Sequence, residues 1–172
     1  NNTNLLFKKG WNEMNIDLNK TSIELFNKAR KKDVNLRVAV SNKPKKIKFY
    51  YRKKINMLNT ISKKFAESSF RKGYKISSIQ ADTLNSLLKK SKLKNKKIDF
   101  LNLDIEGNEI NALKSLNFKK YSPKLICVEI HNYSQSGSKA GKLETNPIYK
   151  FLRKKGYKKT WENEFSFIFR RK

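Results

Sequence analysis

The chain has 172 residues, the length of one ordinary domain and too short for two enzymatic halves. It carries 41 Lys and Arg against 14 Asp and Glu, a formal net charge of +27, yet 37% of its residues are hydrophobic and 12% are aromatic. The apolar content excludes a disordered polycation, the lone Cys127 excludes a disulfide scaffold, and no apolar run approaches the roughly 18 residues of a membrane span. Because residues 1–9 show no signal-peptide pattern, we expect one cytoplasmic domain, residues 1–172.

The first part of the chain has the pattern of a strand, a helix and a second strand. Residues 12–17 form a short apolar–polar run, and residues 21–32 carry apolar side chains at helical spacing. Residues 34–41 alternate apolar and polar side chains with a period of two, which predicts a strand. Residues 46–52 also alternate and predict an added antiparallel strand, whereas residues 55–72 are polar and have no assignable pattern.

The second part of the chain continues this alternation of strands and helices. The predicted strands are 74–80, 98–104 and 125–131, and the predicted helices are 83–91, 108–116 and one that begins at Pro147 and is capped by Gly156. The last two segments, 157–162 and 165–170, predict a hairpin. Together these elements predict an α/β sandwich with a mainly parallel open sheet and a C-terminal antiparallel hairpin.

In open α/β sheets, ligands bind outside the carboxyl ends of the strands, so the last residue of each strand is a candidate for the site. Those residues are Asp17, Ser41, Asp104 and His131. A carboxylate such as Asp17 can accept hydrogen bonds from both hydroxyls of a ribose. An Asp at this position also commonly caps the following turn, and both interpretations stay open.

The segment D-I-E-G-N-E, residues 104–109, places three carboxylates and a glycine before a predicted helix, in a chain that is otherwise poor in acids. The helix dipole stabilises acids there, so we expect Glu109 to act as a cap and Asp104 to face a ligand. His131 is the only histidine, and Glu129 precedes it on the same side of the strand. An imidazole titrates near neutral pH, so His131 could accept a proton from a substrate, although a purely structural role is the alternative.

Five segments resemble the FkbM family of S-adenosylmethionine-dependent methyltransferases. They are G-W-N-E-M-N-I-D-L-N (10–19), S-I-E-L-F-N-K-A-R (22–30), I-D-F-L-N-L-D-I-E-G-N-E (98–109), V-E-I-H (128–131) and F-L-R-K-K-G-Y (151–157). The most specific segment is Asp-x-Glu-Gly-x-Glu after an apolar strand. The resemblance implies a Rossmann-like fold and methyl transfer, usually to a hydroxyl oxygen.

The resemblance also implies roles for individual residues. Asp17 would hold the cofactor ribose, Leu18 and Ser41 would border the adenine, and Asp104 would lie near the cofactor amino group or the acceptor. For catalysis we expect His131 to act as the base, with Asp104 and Glu129 orienting it or the acceptor. No metal site is assigned, although a divalent metal on these same three residues is conceivable.

The chain departs from the family pattern at its start. Family members begin with a strand and a glycine-rich turn, about Asp-x-Gly-Ala-x-x-Gly, that cradles the methionine part of the cofactor. Here Gly10 is the only glycine before Gly73. We therefore expect an N-terminally incomplete domain that lacks the first strand and this turn.

Three functions are consistent with these observations. The first is O-methylation of a hydroxyl group on a small metabolite, sugar or lipid. The second is RNA methylation, which the net charge favours because a basic surface attracts polyanions in a salt-dependent way. The third is a catalytically silent module that binds nucleic acid or another polyanion, an interpretation that the absent glycine-rich turn favours.

Overall fold

The computed structural model describes residues 3–52, 59–70, 73–130 and 142–172. In these ranges the helices are α1 Asn4–Lys8, α2 Lys20–Ala29, α3 Lys63–Phe70, α4 Leu84–Lys90, α5 Glu109–Lys114, α6 Phe118–Tyr121 and α7 Pro147–Lys154, with a 3-10 turn at Leu143–Thr145. The strands are β1 Met14–Asp17, β2 Val34–Arg37, β3 Ala39–Val40, β4 Lys45–Tyr51, β5 Lys75–Asp82, β6 Phe100–Leu103, β7 Leu125–Glu129, β8 Tyr157–Glu162 and β9 Ser166–Arg171. The molecule is a mixed α/β protein.

The strands form three hydrogen-bonded ladders, with orders β1-β2, β3-β5-β4 and β6-β7-β9-β8. Strand pairs β1–β2, β3–β5 and β6–β7 are parallel, whereas β4–β5, β7–β9 and β8–β9 are antiparallel. Within the described residues, parallel and antiparallel pairings are thus equal in number. The expectation of a mainly parallel sheet is corrected to mixed pairing, while the antiparallel β4 and the C-terminal hairpin are confirmed.

The predicted strand at 34–41 is two strands in the structure. It is interrupted at Val38, so β2 pairs with β1 while β3 pairs with β5. The alternation of side chains is local and continues through this break, which is why it could not reveal the change of partner. Helix α6 was also missed, because four residues are too few to show a helical period.

The largest core covers one face of the β6-β7-β9-β8 ladder. Ile126, Val128, Phe167 and Phe169 project from that face and have 0% exposure, and helix α7 adds the fully buried Leu152. Burying the apolar side chains of these strands removes them from water. Each fully buried side chain stabilises the folded state by about 1.5–3 kcal/mol. The core holds the carboxyl ends of β6 and β7, where the candidate residues lie.

Helix starts that the sequence predicts are capped in the structure. Asn19 Oδ1 accepts from the backbone N–H groups of Thr21 and Ser22 at the start of α2. Asn146 Oδ1 accepts from Ile148 N at 2.8 Å, and Pro147 occupies the first turn of α7. No helix in the described ranges is long and apolar enough to cross a membrane.

Tyr157 connects the hairpin to the turn before β7. Its hydroxyl donates to the carbonyl oxygen of Pro123 at 2.6 Å, and its ring meets Phe118 edge to face. Replacing Tyr157 with Phe should lower the free energy of unfolding by about 1–3 kcal/mol, because a buried carbonyl loses its donor. Urea unfolding measures this loss, and a Tyr149→Phe variant serves as the matched control.

The same side chain predicts a pH dependence. Burial raises the pKa of Tyr157 from 10.0 to about 12. The stabilisation from its neutral hydroxyl is therefore complete below about pH 10, where the unfolded residue begins to ionise, and disappears as the pH rises towards 12. The difference in unfolding free energy between the wild type and Tyr157→Phe should shrink over this interval. A constant difference would contradict the prediction.

Candidate active site

A crevice of about 230 Å³ lies where β1 and β3 end and the loop after β6 begins. Asp17 and Leu18 border it from the end of β1, Val40 from β3, and Asp104 and Glu106 from the loop. Strand ends that the chain separates by more than 80 residues thus contribute to one crevice, as expected for an α/β sheet.

The turn after β1 holds Asp17 in place. One carboxylate oxygen, Oδ1, accepts from the backbone N–H of Asn19 at 2.8 Å. No partner for the second oxygen is present among the described residues. The interpretation of Asp17 as a turn-stabilising residue is therefore confirmed, while its contact with a ribose stays a prediction.

The loop after β6 is fixed by three sets of hydrogen bonds. The Thr60 hydroxyl donates to the carbonyl of Glu106 at 2.6 Å, and Asn108 Nδ2 donates to the carbonyl of Val40 at 2.6 Å. Glu109 Oε1 accepts from the backbone N–H groups of Ile105 and Gly107 at 3.2 and 3.1 Å. Glu109 lies in the first turn of α5 as expected, but its carboxylate accepts from loop N–H groups before the helix and does not cap the first turn. The loop is held by this acid and by two distant segments.

The backbone of this loop turns through two left-handed residues, Glu106 at φ +54° and Gly107 at φ +94°. A side chain at position 107 would be strained at this φ, so the glycine suits the turn. Glu106 adopts the uncommon conformation although it is not a glycine. The turn directs the loop so that Glu106 is buried while Asp104 stays exposed.

Three carboxylates meet beside the crevice. Asp104, Glu106 and Glu129 each offer an oxygen within 4.8 Å of the others; we call them the carboxylate group. Burial raises the pKa of the nearby Cys127 thiol, and the negative charges of Glu129 and Asp104 raise it further. Such a thiol stays protonated at neutral pH and is a poor nucleophile. The carboxylate group could hold a cationic ligand group, a proton or a divalent cation.

The charge of the crevice is opposite to that of the chain. Asp17, Asp104 and Glu106 line it, and no lysine or arginine among the described residues does so. The chain as a whole has a net charge of +27. An acid-lined crevice in a basic protein favours a ligand with positive charge, while the basic side chains lie elsewhere.

The predicted site residues divide into three sets. Asp17, Leu18 and Asp104 line the crevice, and Glu129 lies in the carboxylate group next to it. Ser41 is buried outside the crevice lining, where its backbone N–H donates to the carbonyl of Asp82. His131 lies outside the described residues, so its role as a base stays a prediction.

Sequence reasoning missed four polar residues at this site, namely Ser22, Asn59, Glu106 and Asn108. Asn59 belongs to the stretch for which no pattern was assignable. Glu106 was noted as one of three clustered acids, but a side chain next to a glycine has no predictable direction. Its position in the acidic run, before Gly107, was the available signal.

Comparisons with known proteins gave one match. Searches of the curated proteins and of the solved structures found none. The family model described as the methyltransferase FkbM domain matches residues 2–159, which is most of the chain. Strand β1, which ends at Asp17, and the acidic loop after β6 both lie in the matched part and both border the crevice. The chain therefore belongs to the FkbM methyltransferase domain family and is a methyltransferase.

Proposed function

We propose that this domain, taken as a single unit of residues 1–172, transfers a methyl group from S-adenosylmethionine to a hydroxyl oxygen of a small metabolite, sugar or lipid. The observation that carries the proposal is the acid-lined crevice at the ends of β1 and β6. S-adenosylmethionine is positively charged at its sulfonium and amino groups, and the crevice offers these groups three carboxylates, with no basic side chain among the lining residues that the structure describes.

The residues of the crevice fit the parts of this cofactor. The second oxygen of Asp17 can accept hydrogen bonds from ribose hydroxyls, and Leu18 offers an apolar contact for the adenine. Asp104 and Glu106 offer negative charge to the amino or sulfonium group. The expected adenine contact of Ser41 has no support in the lining, where Val38 and Ala39 are present instead.

When bound, the cofactor supplies an electrophilic methyl group. The protein must then position the acceptor oxygen and take up its proton. In this proposal Asp104 and Glu129 hydrogen-bond the acceptor hydroxyl, and a carboxylate of this group or His131 accepts the proton. An Ala substitution at His131 that leaves turnover unchanged would remove His131 from this role.

Calorimetric titration with S-adenosylmethionine tests the proposal, together with an Asp17→Asn variant. Asparagine keeps the acceptor for Asn19 N–H but loses the charge, so the fold should be preserved. The affinity should fall about 10- to 150-fold, the equivalent of the roughly 1.5–3 kcal/mol of a hydrogen bond to a charged group. Asp99→Asn is the matched control, because Asp99 is exposed, does not line the crevice and pairs with the surface Lys124 at 2.6 Å.

The results distinguish the candidate functions. Wild-type protein that gives no heat with the cofactor, but binds RNA tightly in low salt, would favour the silent binding module. Equal affinities of the wild type and Asp17→Asn for S-adenosylmethionine would contradict the contact between Asp17 and the ribose, but not cofactor binding itself. Cofactor binding together with methylation of RNA would favour the RNA methyltransferase, for which exposed lysines such as Lys45, Lys46 and Lys48 on β4 provide a basic surface.

A further inference from the structure

A strongly basic surface lies at the amino ends of β6 and β7, whereas the crevice lies beyond the carboxyl end of β6. Five segments form this surface, which we call the amino-end face. They contain fifteen lysines and arginines, all of them exposed, and no Asp or Glu. The segments are residues 31–32, 92–97, 119–124, 153–155 and 170–172.

The turn of residues 92–97 is joined to the segments on either side of it. Its first lysine, Lys92, donates a hydrogen bond from Nζ to the carbonyl oxygen of Lys32. On the other side, the Tyr121 hydroxyl donates to the carbonyl oxygen of Lys94 at 3.2 Å. Residues 31–32, this turn and helix α6 therefore lie side by side.

The two remaining segments adjoin the same surface. The backbone N–H of Arg171 donates to the carbonyl oxygen of Lys124 at 3.0 Å, and that of Lys172 donates to the carbonyl oxygen of Gly156, which follows residues 153–155, at 3.2 Å. Lys124 forms an ion pair with Asp99 at 2.6 Å. The other basic side chains of the face have no acidic partner in the described part of the chain.

The aromatic content of the face indicates which class of polyanion it fits. Like charges gathered at one end of a molecule repel each other, and an anionic partner relieves this repulsion. Tyr121 is the one aromatic residue of the five segments, and it is only 3% exposed. Single-stranded nucleic acid binds by stacking its bases on exposed aromatic rings. The face offers no such ring, which disfavours this class of partner.

The type of basic residue favours a lipid surface. Twelve of the fifteen are lysines, which carry a compact charge on a flexible stem and lack the fixed fork with which arginine recognises phosphates and bases. Clusters of lysines are attracted to the diffuse negative potential of anionic lipid headgroups. Leu125, which follows Lys124 and is 36% exposed, adds an aliphatic side chain that can enter a headgroup layer.

We propose that the amino-end face docks this domain on a membrane surface that carries anionic lipid headgroups. The crevice lies beyond the opposite end of β6, so it faces away from the bilayer and stays open to ligands in solution. This proposal does not depend on the proposed function, because none of the five segments lines the crevice.

Cosedimentation of the full chain with lipid vesicles tests the proposal. The chain should bind vesicles of phosphatidylcholine that contain about 30% phosphatidylserine, and it should bind vesicles of phosphatidylcholine alone at least about tenfold more weakly. Raising the salt concentration from about 0.1 M to about 0.5 M should release the chain, because salt screens the attraction between exposed charges.

Two matched triple variants locate the binding. The first carries Lys94→Gln, Lys96→Gln and Lys97→Gln. The second removes the same charge from β4 and carries Lys45→Gln, Lys46→Gln and Lys48→Gln. The first should bind the phosphatidylserine vesicles about 10- to 150-fold more weakly than the wild type, and the second should bind them within about threefold of it. All six lysines are exposed, so urea unfolding should show that both variants stay folded.

An independent variant on helix α6, Lys119→Gln with Lys120→Gln, should also weaken vesicle binding. No binding to the phosphatidylserine vesicles, equal binding to both kinds of vesicle, or equal losses in the two triple variants would each overturn the proposal. Tighter binding to RNA than to vesicles, lost only in the first triple variant, would overturn it in favour of nucleic acid. Calorimetry with S-adenosylmethionine should give the same affinity for all these proteins, and its failure to bind would contradict the proposed function alone.

Discussion

Replacing Arg30 with Met should lower the free energy of unfolding by about 3–5 kcal/mol, the cost of breaking a buried ion pair from one side. The Arg30 side chain is 4% exposed and forms an ion pair with Glu13, which is 10% exposed. Its guanidinium also lies over the rings of Phe7 and Phe26, at 4.5 and 5.1 Å from their centroids. This one side chain joins α1, the segment before β1 and the end of α2.

The loss should come mainly from the charge left on Glu13. Thr3 would remain as its hydrogen-bond donor at 2.8 Å, which does not compensate a buried carboxylate. The double variant Arg30→Met with Glu13→Met should therefore be more stable than Arg30→Met alone. Urea unfolding of both variants measures this difference. The control is Lys20→Met, which breaks the exposed ion pair between Lys20 and Glu24 and should change the free energy of unfolding by less than about 1 kcal/mol. A loss below about 1 kcal/mol for Arg30→Met would show that the pair is unimportant.

Reversing the charge of Asp104 to Lys should weaken the binding of S-adenosylmethionine by about a thousandfold or more, because like charges placed together cost several kcal/mol. The substitution removes one carboxylate from a group whose oxygens lie within 4.8 Å and adds an ammonium beside it. Asp104 is exposed, so the folded structure should tolerate the longer side chain.

The same variant distinguishes a loss of electrostatic attraction for the sulfonium from a loss of steric fit in the crevice. S-adenosylhomocysteine has a neutral sulfur, so Asp104→Lys should weaken its binding less than that of S-adenosylmethionine. Calorimetry with both compounds measures the two losses. Asp99→Lys carries the same reversal at an exposed position that pairs with the surface Lys124, and it should bind both compounds like the wild type. Equal effects at positions 99 and 104 would mean that only the net charge of the chain matters.

The elements around the site were largely predictable because their signals are local. The strand at β6 is apolar, the acids follow it directly, and its helix begins with Glu109, whose carboxylate holds the preceding loop. The strand at β1 ends at Asp17 for similar reasons, since Asn19 caps the start of the next helix. Apolar periodicity and capping chemistry depend on neighbours within a few residues, and such neighbours can be read along a chain.

The composition of the site was less predictable because it depends on distant contacts. Thr60 and Asn108 fix the loop after β6 through bonds to Glu106 and Val40, across 46 and 68 residues. Ser41 shows the opposite case, a predicted site residue that the pairing of β3 with β5 places next to Asp82 and outside the crevice. No local pattern specifies which strand is the neighbour of another.

The amino-acid sequence by itself determined the alternating strands and helices, the acids at two strand ends and the membership of a methyltransferase family. These properties follow from side-chain periodicity and from a motif of adjacent residues. Only the tertiary structure decided that Glu106 turns inward through two left-handed residues and that Glu129 joins it and Asp104. The physical reason is that parallel strands pair across long stretches of chain, so the meeting of their ends depends on packing of the whole fold.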